Sequence, residues 1–159
     1  MFNKIKKREE IEKISEELKK EGKLIVTVNG CFDLFHAGHL DLLEESSKVG
    51  DILIVGINSD NSIKKYKGWK RPIIPEQQRA EIISGIGFVD YVTIFDEIDC
   101  LKFIESVKSN IHVKGQDYNQ DCIESSIVEK YGGRIHITDF KTKISTSDII
   151  QRVIEKYGS

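Results

Sequence analysis

Two histidines, His36 and His39, lie three residues apart in the chain and could act together on one ligand. They flank Ala37 and Gly38 at a point where strand-forming residues give way to a helical pattern. The first N–H groups of a helix have no partner within it and carry the positive end of its dipole, so they bind anions readily. Gly38 lacks a side chain that would hold a phosphate away. The spacing therefore predicts an anion site, with ring N–H groups of both histidines directed at the same anion.

Two alternatives apply to this histidine pair. A histidine in a loop is most often simply solvated, and paired histidines can also bind a metal. The H-x-x-H spacing supplies only two ligands, however, and no third is evident. Cys31, Cys100 and Cys122 form no C-x-x-C pair, so the cysteines indicate neither a disulfide framework nor a zinc site. We therefore predict no metal that is held by the protein alone.

Composition limits the class of protein. The 159 residues suit one domain with a full hydrophobic core, and 31% charged with 39% hydrophobic residues is an ordinary globular balance. A formal charge of −2 argues against a nucleic-acid-binding protein, which needs a basic excess. No apolar run approaches the roughly 20 residues that cross a bilayer, and the N-terminus lacks the apolar centre of a secretion signal. We expect a reduced, cytoplasmic protein without nucleic-acid or membrane partners.

The order of the predicted elements indicates an α/β fold. Residues 1–22 form an N-terminal helical segment, and residues 23–159 form the main domain. Short β-branched or apolar runs predict five strands, at residues 24–28, 52–57, 91–95, 111–114 and 134–138. Helical patterns fall between and after them, at residues 39–48, 76–87, 99–108, 123–130 and 145–157. This alternation predicts a single Rossmann-like domain, a parallel five-stranded sheet with helices on both faces and ligands beyond the carboxyl ends of the strands.

Groups of polar residues follow the first two strands and so fall at that edge. Asn29 and Gly30 end the first strand. Asn58, Ser59 and Asp60 follow the second, where a plain turn capped by the aspartate is the alternative interpretation.

A basic loop comes next. Its cations are Lys64, Lys65, Lys67, Lys70 and Arg71. A run of charges is usually a solvated face, but at the carboxyl edge beside the histidines it would clamp phosphate groups.

Two later segments have the same placement. Lys114-Gly115 ends a buried strand, where glycine permits close approach of a base or ribose, and Asp117 can accept hydrogen bonds from hydroxyl or amino groups. Before the last helix stand Ser145, Thr146 and Ser147. They can cap its first N–H groups and place a second helix N-terminus at the phosphates, although capping alone would also explain them.

These segments resemble a known superfamily. NGCFDLFHAGH, residues 29–39, is similar to the H-x-G-H signature of nucleotidyltransferases that join a nucleoside triphosphate to a phosphate monoester. Over residues 23–153 the further matching segments are, in order, VGINSD, KGWKRPIIPEQQRAEII, VDYVTIFDE, VKGQDY, YGG and STSDII. Together they most resemble the bacterial D-glycero-β-D-manno-heptose 1-phosphate adenylyltransferases, the second half of bifunctional heptokinase–adenylyltransferases. Residues 23–159 would then be a nucleotidyltransferase domain.

The resemblance implies an activity and a set of site residues. ATP would be a substrate, with Mg²⁺ carried by its triphosphate, and the phosphate of a heptose 1-phosphate would attack the α-phosphorus in line. The implied catalytic residues are His36, His39 and Lys67. The implied nucleotide-binding residues are Asn29, Gly30, Phe32, Asp33, Gly38, Arg79, Lys114, Gly115, Asp117, Ser145, Thr146 and Ser147. The implied substrate-binding residues are Asn58, Asp60, Lys67 and Arg71.

Departures from the family pattern keep alternatives open. The family commonly has a second glycine where Gln116 stands, which leaves the base pocket undefined. Glycerol 3-phosphate cytidylyltransferases share the H-x-G-H corner but typically read R-T-E-G-I-S-T-T where this chain reads F-K-T-K-I-S-T-S, with Phe140 and Lys143 in place of the arginine and glycine. This favours ATP and a heptose over cytidylyl transfer to a polyol phosphate. Adenylyl transfer to a flavin or pantetheine phosphate, and a nucleotide-binding module without turnover, are further alternatives.

The resemblance also implies partners. A separate heptokinase would supply the sugar 1-phosphate, and the product would enter lipopolysaccharide core or other surface-glycan assembly. Members of the superfamily usually associate, so we expect a homodimer or a larger homo-oligomer.

Overall fold

Within residues 2–139 and 141–158, which the computed structural model describes, the chain forms five strands and seven α-helices. The strands are β1 (Ile25–Gly30), β2 (Ile52–Asn58), β3 (Tyr91–Phe95), β4 (Ile111–Gly115) and β5 (Arg134–Thr138). The helices are α1 (Arg8–Lys20), α2 (Ala37–Ser47), α3 (Asp60–Lys67), α4 (Glu76–Ser84), α5 (Leu101–Val107), α6 (Ser125–Lys130) and α7 (Thr146–Tyr157). In this part of the chain no helix combines the length and apolarity that a membrane span requires. Phe140, which bears on the cytidylyl alternative, lies outside the described residues.

The five strands form one parallel sheet in the order β3-β2-β1-β4-β5, which confirms the predicted fold class. From β1 the chain first adds β2 and then β3 on one side of the sheet. It then crosses back and adds β4 and β5 on the other side of β1, so the strand order reverses at β1. β1 pairs with β2 along all of Ile25–Gly30, but with β4 only through Val26–Ile111 and Thr27–His112. The carboxyl ends of β1 and β4 therefore separate, and they leave a crevice at the position where such folds bind ligands.

Helices cover both faces of the sheet, as predicted. On one face α2 and α4 pack on the strands, and their buried side chains include Leu43, Ala80 and Ile83. On the other face α1, α5 and α6 contribute Ile11, Phe103 and Val128 to a second apolar cluster. Because these two apolar layers bury both faces of the central strands, β2 and β3 consist mostly of apolar residues. They can therefore be located from composition alone.

One element contradicts its prediction. The basic loop is helical in its first part, because α3 spans Asp60–Lys67. The Ser59 hydroxyl caps this helix by accepting the Ser62 N–H at 3.0 Å, and Gly68 ends it with φ of +92°. The short helix has one fully buried apolar side chain, Ile63, so its hydrophobic periodicity is too weak to reveal it.

The segment before β1 packs on the same core. Ile5 forms a parallel bridge with Val92, and the Lys6 N–H donates to the Val92 carbonyl at 2.8 Å. Ile11 of α1 is fully buried beside Phe103. This segment therefore covers part of the β3 edge and one face of the sheet.

Candidate functional site

A cleft of about 730 Å³ opens where β1 and β4 separate. Twelve of the residues that were assigned to a site from the sequence line it, namely Asn29, Gly30, Phe32, Asp33, His39, Asn58, Lys67, Arg71, Lys114, Gly115, Asp117 and Thr146. These residues come from segments up to 117 positions apart, since Asn29 and Thr146 both line the cleft. The carboxyl-edge rule therefore locates most of the assigned residues correctly.

The turn between β1 and α2 has a strained backbone. Phe32 and Leu34 adopt left-handed conformations, with φ of +52° and +48°. A non-glycine residue in this region costs roughly 1–2 kcal/mol, so neighbouring contacts must hold the turn in place. Asp33, between these two residues, makes those contacts.

The Asp33 carboxylate is buried and accepts three hydrogen bonds from the segment after α3. The Arg71 Nε and the Ile73 N–H donate to Oδ2 at 2.9 and 2.8 Å, and the Ile74 N–H donates to Oδ1 at 2.9 Å. The Asp33 carbonyl also accepts from the Thr146 hydroxyl at 2.8 Å. Burial alone would raise the pKa of Asp33, but the two backbone N–H donors and Arg71 outweigh it and lower that pKa. In this structure Asp33 therefore joins three segments of the chain beside the cleft and directs both of its carboxylate oxygens at the protein.

The two motif histidines stack on each other, with ring centroids 3.6 Å apart and planes 17° from parallel. His36 is the N-cap of α2, because its Nδ1 accepts the His39 N–H at 3.3 Å. A ring nitrogen that accepts carries no proton, so the proton of a neutral His36 is on Nε2. His39 also contacts the rings of Phe32 and Phe35, at centroid distances of 5.3 and 5.5 Å. The predicted convergence of both imidazoles at the start of a helix is thus found.

Both rings are neutral near pH 7. Burial lowers the pKa of His36. Burial, together with repulsion from His36 and Lys67, lowers the pKa of His39 to about 3. Nε2 of His36 and Nδ1 of His39 are buried and have no hydrogen-bond partner within the described part of the chain. Two such atoms beside unpartnered helix N–H groups form a site that a phosphate could satisfy.

A second helix begins beside the histidines. Ser145 caps α7 through a capping box with Asp148, which confirms its predicted capping role. A Cβ on Gly38 would lie 3.1 Å from the His36 ring and 3.2 Å from the Ile144 carbonyl oxygen. Glycine at this position allows the close packing of the α2 start against the segment that enters α7, because a Cβ would force its neighbours to shift by a few tenths of an ångström. The sequence pattern had suggested a different reason, namely room for a phosphate.

Six assigned residues do not line the cleft. Arg79 is 1% exposed, and its guanidinium donates to the carbonyls of Ile74 and Cys31 and to the Asp60 carboxylate. Arg79 and Asp60 therefore join α3, α4 and the β1 turn in this structure. His36, Gly38, Ser145 and Ser147 are likewise not among the residues that line the cleft.

The wall after β4 is built around a buried ion pair. The Lys114 Nζ lies 2.7 Å from the Glu124 carboxylate and 3.9 Å from the centre of the Tyr118 ring. Burial alone would raise the pKa of Glu124, but the hydrogen bond and charge of Lys114 hold it at about 2. Lys114 is thus already paired at the edge of the cleft.

Sequence reasoning missed several lining residues. They are Tyr66, Cys100, Tyr118, Cys122 and Glu124. The Tyr66 hydroxyl contacts the Cys31 thiol across the cleft, although Tyr66 belongs to the helix that was predicted as a loop. Had Ser59 to Gly68 been predicted as a helix, Tyr66 and Lys67 would have been expected at neighbouring positions on α3. The other missed residues lack a local pattern.

The geometry can be compared with known proteins. A family model described as cytidylyltransferase-like matches residues 27–152. The bifunctional protein HldE of Pelobacter propionicus is 44% identical over 157 residues, which cover 98% of this chain and 32% of that protein. The bifunctional protein HldE of Helicobacter pylori is 44% identical over 144 residues, covering 90% of this chain and 30% of that protein. The chain thus spans about a third of the length of these curated relatives.

Solved structures agree with this comparison. A crystal structure of the lipopolysaccharide core biosynthesis protein from Thermoplasma volcanium superposes with a TM-score of 0.61 and 32% identity, covering 77% of this chain and all of that one. A pantoate–beta-alanine ligase from Francisella tularensis has a TM-score of 0.63 at 15% identity, covering 95% of this chain and 77% of that one. At that identity the second likeness concerns the fold alone.

Proposed function

The chain belongs to the cytidylyltransferase-like family, and on that premise we propose that it is an adenylyltransferase that joins ATP to a heptose 1-phosphate. The products are ADP-heptose and pyrophosphate. The observation that carries the proposal is a cleft that His39, Lys67 and Arg71 line, with the neutral ring of His36 stacked on His39 and the N-termini of α2 and α7 beside it. Such an arrangement suits the transfer of a phosphoryl-linked group between two polyanions.

In the proposed reaction, a phosphate oxygen of the sugar 1-phosphate attacks the α-phosphorus of ATP. A new P–O bond forms, the bond to the β-phosphate oxygen breaks, and pyrophosphate leaves with the electron pair of that bond. The attacking phosphate is already ionised near pH 7, so the reaction requires no strong base. The protein accelerates it by aligning the two substrates and by stabilising negative charge that develops around the transferred phosphorus.

The neutral state of the histidines determines what they can do. His36 presents an Nε2–H donor, since its Nδ1 is occupied by the helix cap. His39 lines the cleft and stays uncharged because burial and its cationic neighbour oppose protonation. We propose that both rings donate hydrogen bonds to oxygens of the α-phosphate, and that neither acts as a positively charged acid.

Cations and helix ends bind the rest of the triphosphate. Arg71 is fixed through Nε by Asp33, which leaves its terminal nitrogens for phosphate oxygens, and Lys67 lines the cleft beside it. The α7 N-terminus, held to the β1 turn by Thr146, offers further N–H donors. Mg²⁺ arrives with ATP and is bound by the phosphates and water. Both oxygens of the Asp33 carboxylate, at the histidine turn, already accept hydrogen bonds from the chain. We therefore assign Mg²⁺ no protein ligand at this turn and treat MgATP as the substrate.

The family resemblance supports the heptose assignment, and with it a heptokinase that supplies the sugar 1-phosphate and a glycan pathway that uses the product. We also propose that the protein forms a homo-oligomer, because members of the superfamily that it resembles usually associate.

The test is a matrix of four nucleoside triphosphates against heptose 1-phosphate anomers, glycerol 3-phosphate, pantetheine phosphate and flavin mononucleotide. We expect pyrophosphate only from ATP with a heptose 1-phosphate, and ADP-heptose by mass spectrometry. Pyrophosphate from CTP with glycerol 3-phosphate would replace the proposal with the cytidylyltransferase alternative. ATP binding without pyrophosphate under any pairing would indicate a nucleotide-binding module.

The histidine role has its own test. His39→Ala should lower kcat by about 10²- to 10³-fold, the scale for the loss of one donor to a developing oxyanion. His136→Ala is the matched control, because His136 lies on β5 and does not line the cleft. Near-normal turnover by a correctly folded His39→Ala protein would remove the histidine from the proposed mechanism.

A further inference from the structure

Three buried side chains from different elements meet at the side of the cleft formed by β4. Cys100 precedes α5, His112 belongs to β4, and Glu124 precedes α6. A thiol sulfur, a ring nitrogen and a carboxylate oxygen from these residues all lie within 4.8 Å of one another. The proposed reaction uses none of these three groups.

The hydrogen bonds around His112 determine which of its nitrogens is free. The Thr27 hydroxyl lies 2.8 Å from both the Ser109 hydroxyl and His112 Nδ1, and we assign the His112 tautomer in which Nδ1–H donates to the Thr27 oxygen. The ring is fully buried, and its Nε2 has no hydrogen-bond partner in the described residues. Nε2 therefore carries an unused lone pair. Histidine metal ligands show the same arrangement, with one nitrogen fixed by a neighbouring acceptor and the other free to bind.

We propose that Cys100, His112 and Glu124 bind a zinc ion through sulfur, Nε2 and a carboxylate oxygen, with the fourth position open to the cleft. These are the three ligand types that Zn²⁺ accepts most readily. Ligand atoms about 2.0–2.3 Å from a tetrahedral zinc lie roughly 3.5 Å from one another, so contraction of the cluster by about 1 Å completes the site.

The site has an entry path from the cleft. Cys100 and Glu124 line the cleft, so a metal ion can reach them from solvent. Lys114 Nζ and the Cys100 thiol both donate to Oε1 of Glu124, at 2.7 and 3.6 Å, and a carboxylate has a second oxygen that can serve a metal ion.

The inference is independent of the adenylyltransferase proposal, because it concerns a cluster that the proposed reaction does not use. Cysteine spacing could not reveal it. Successive ligands are separated by 12 positions in the sequence. Only the folded topology brings them together.

The experiment is a zinc titration of the intact, reduced protein after removal of metals with a chelator. Elemental analysis after gel filtration should find about one zinc per chain in the wild type, and His112→Gln and Cys100→Ser should weaken binding at least about 100-fold. Cys31→Ser and His136→Gln are matched controls, because they remove the same ligand types outside the cluster, and they should bind zinc as the wild type does. Retention below about a tenth of a zinc per wild-type chain, or unchanged binding by His112→Gln, would overturn the proposal.

Two measurements apply even where a ligand variant fails to fold. Thr27→Val keeps the side-chain shape but removes the acceptor for His112 Nδ1–H, and it should weaken zinc binding by about 10- to 100-fold. Co²⁺ added to the wild-type protein should give a thiolate-to-cobalt charge-transfer band that Zn²⁺ abolishes. Bound cobalt without that band, or unchanged zinc affinity of a folded Thr27→Val protein, would also overturn the assignment.

Discussion

The two walls of the cleft contain buried ion pairs of similar geometry but different construction. In the wall after β1, Asp33 bonds Arg71 and also two backbone N–H groups and, through its carbonyl, Thr146. In the wall after β4, Glu124 bonds Lys114, with the aromatic ring of Tyr118 and the Cys100 thiol as neighbours.

This difference has a physical consequence. Removal of Asp33 would release three chain segments at once, including a strained turn, whereas removal of Glu124 would leave one unpaired ammonium. The first wall is therefore a framework that holds the histidine turn in place. The second is a local polar cluster on a rigid strand, so it should tolerate replacement of both partners together.

The largest effect is expected from Asp33→Ala. The change leaves Arg71 and two amides without an acceptor, and it should lower the free energy of unfolding by about 5 kcal/mol. Any folded fraction should lose at least about 10² in turnover through misplacement of the turn. Denaturant unfolding and pyrophosphate release measure the two effects.

Glu97→Ala provides the control for Asp33→Ala. Glu97 pairs with Arg8 through two hydrogen bonds, but both side chains are 27% exposed and no backbone amide of another segment in the described residues depends on this carboxylate, so the change should cost less, about 1–2 kcal/mol. Equal losses from the two variants would contradict the framework role of Asp33.

The second wall should respond differently to single and double replacement. Glu124→Ala in metal-free buffer strands the Lys114 ammonium, which is nearly buried, and should cost about 3 kcal/mol. A Lys114→Met, Glu124→Leu double variant should regain most of this loss, since two apolar side chains can replace a buried ion pair. A double variant that is less stable than Glu124→Ala would show that the two walls do not differ in this respect.

The same contrast explains what the sequence could predict. The stretch from Asn29 to His39 is contiguous, so its local pattern was enough to predict a turn after β1, a helix start within two residues of the observed one and the proximity of the two histidines. β3 and β5 were located to the residue because each is a short β-branched run. The zinc candidate residues Cys100, His112 and Glu124 could not be grouped, because their proximity depends on strand order and on loop paths that leave no local pattern.

Arg79 illustrates a second limit of sequence reasoning. Its position one turn into α4 was correct, but the direction of its guanidinium depends on the carbonyls of Ile74 and Cys31, which only the folded chain brings within reach. The helix α3 was missed for the opposite reason, since its signals were local but weak.

The two walls should also differ in how much stability each loses as pH falls, because each has a histidine whose pKa burial lowers. His39 and His112 both have a pKa of about 3 in the folded protein, where burial is the main cause, against an ordinary value near 6.5. The unfolded chain therefore takes up protons below pH 6.5 that the folded protein does not, so the stabilisation is complete above pH 6.5 and is lost as pH falls towards 3. For the fully buried His112, this loss should be about 1.5 kcal/mol between pH 6.5 and 5.

Denaturant unfolding at several pH values measures this dependence. His112→Gln should flatten the stability profile more than His39→Gln does, because the His39 ring lines an open cleft. Metal-free buffer is required, since bound zinc would hold His112 deprotonated by itself. Identical profiles for the two variants would mean that the walls bury their imidazoles equally.

The smallest effect is expected from Thr146→Val, which removes one bond within the wall after β1 and keeps the side-chain shape. The lost hydrogen bond to the Asp33 carbonyl should cost about 0.5–1.5 kcal/mol in stability. Because that bond aligns the α7 N-terminus with the histidine turn, the Michaelis constant for ATP should rise while that for the sugar phosphate stays unchanged. Steady-state kinetics with each substrate varied in turn separates the two constants. A rise in both would mean that α7 positions the whole turn, whereas no change in either would remove α7 from the triphosphate site and leave Asp33 as a purely structural link between the turn and the segment after α3.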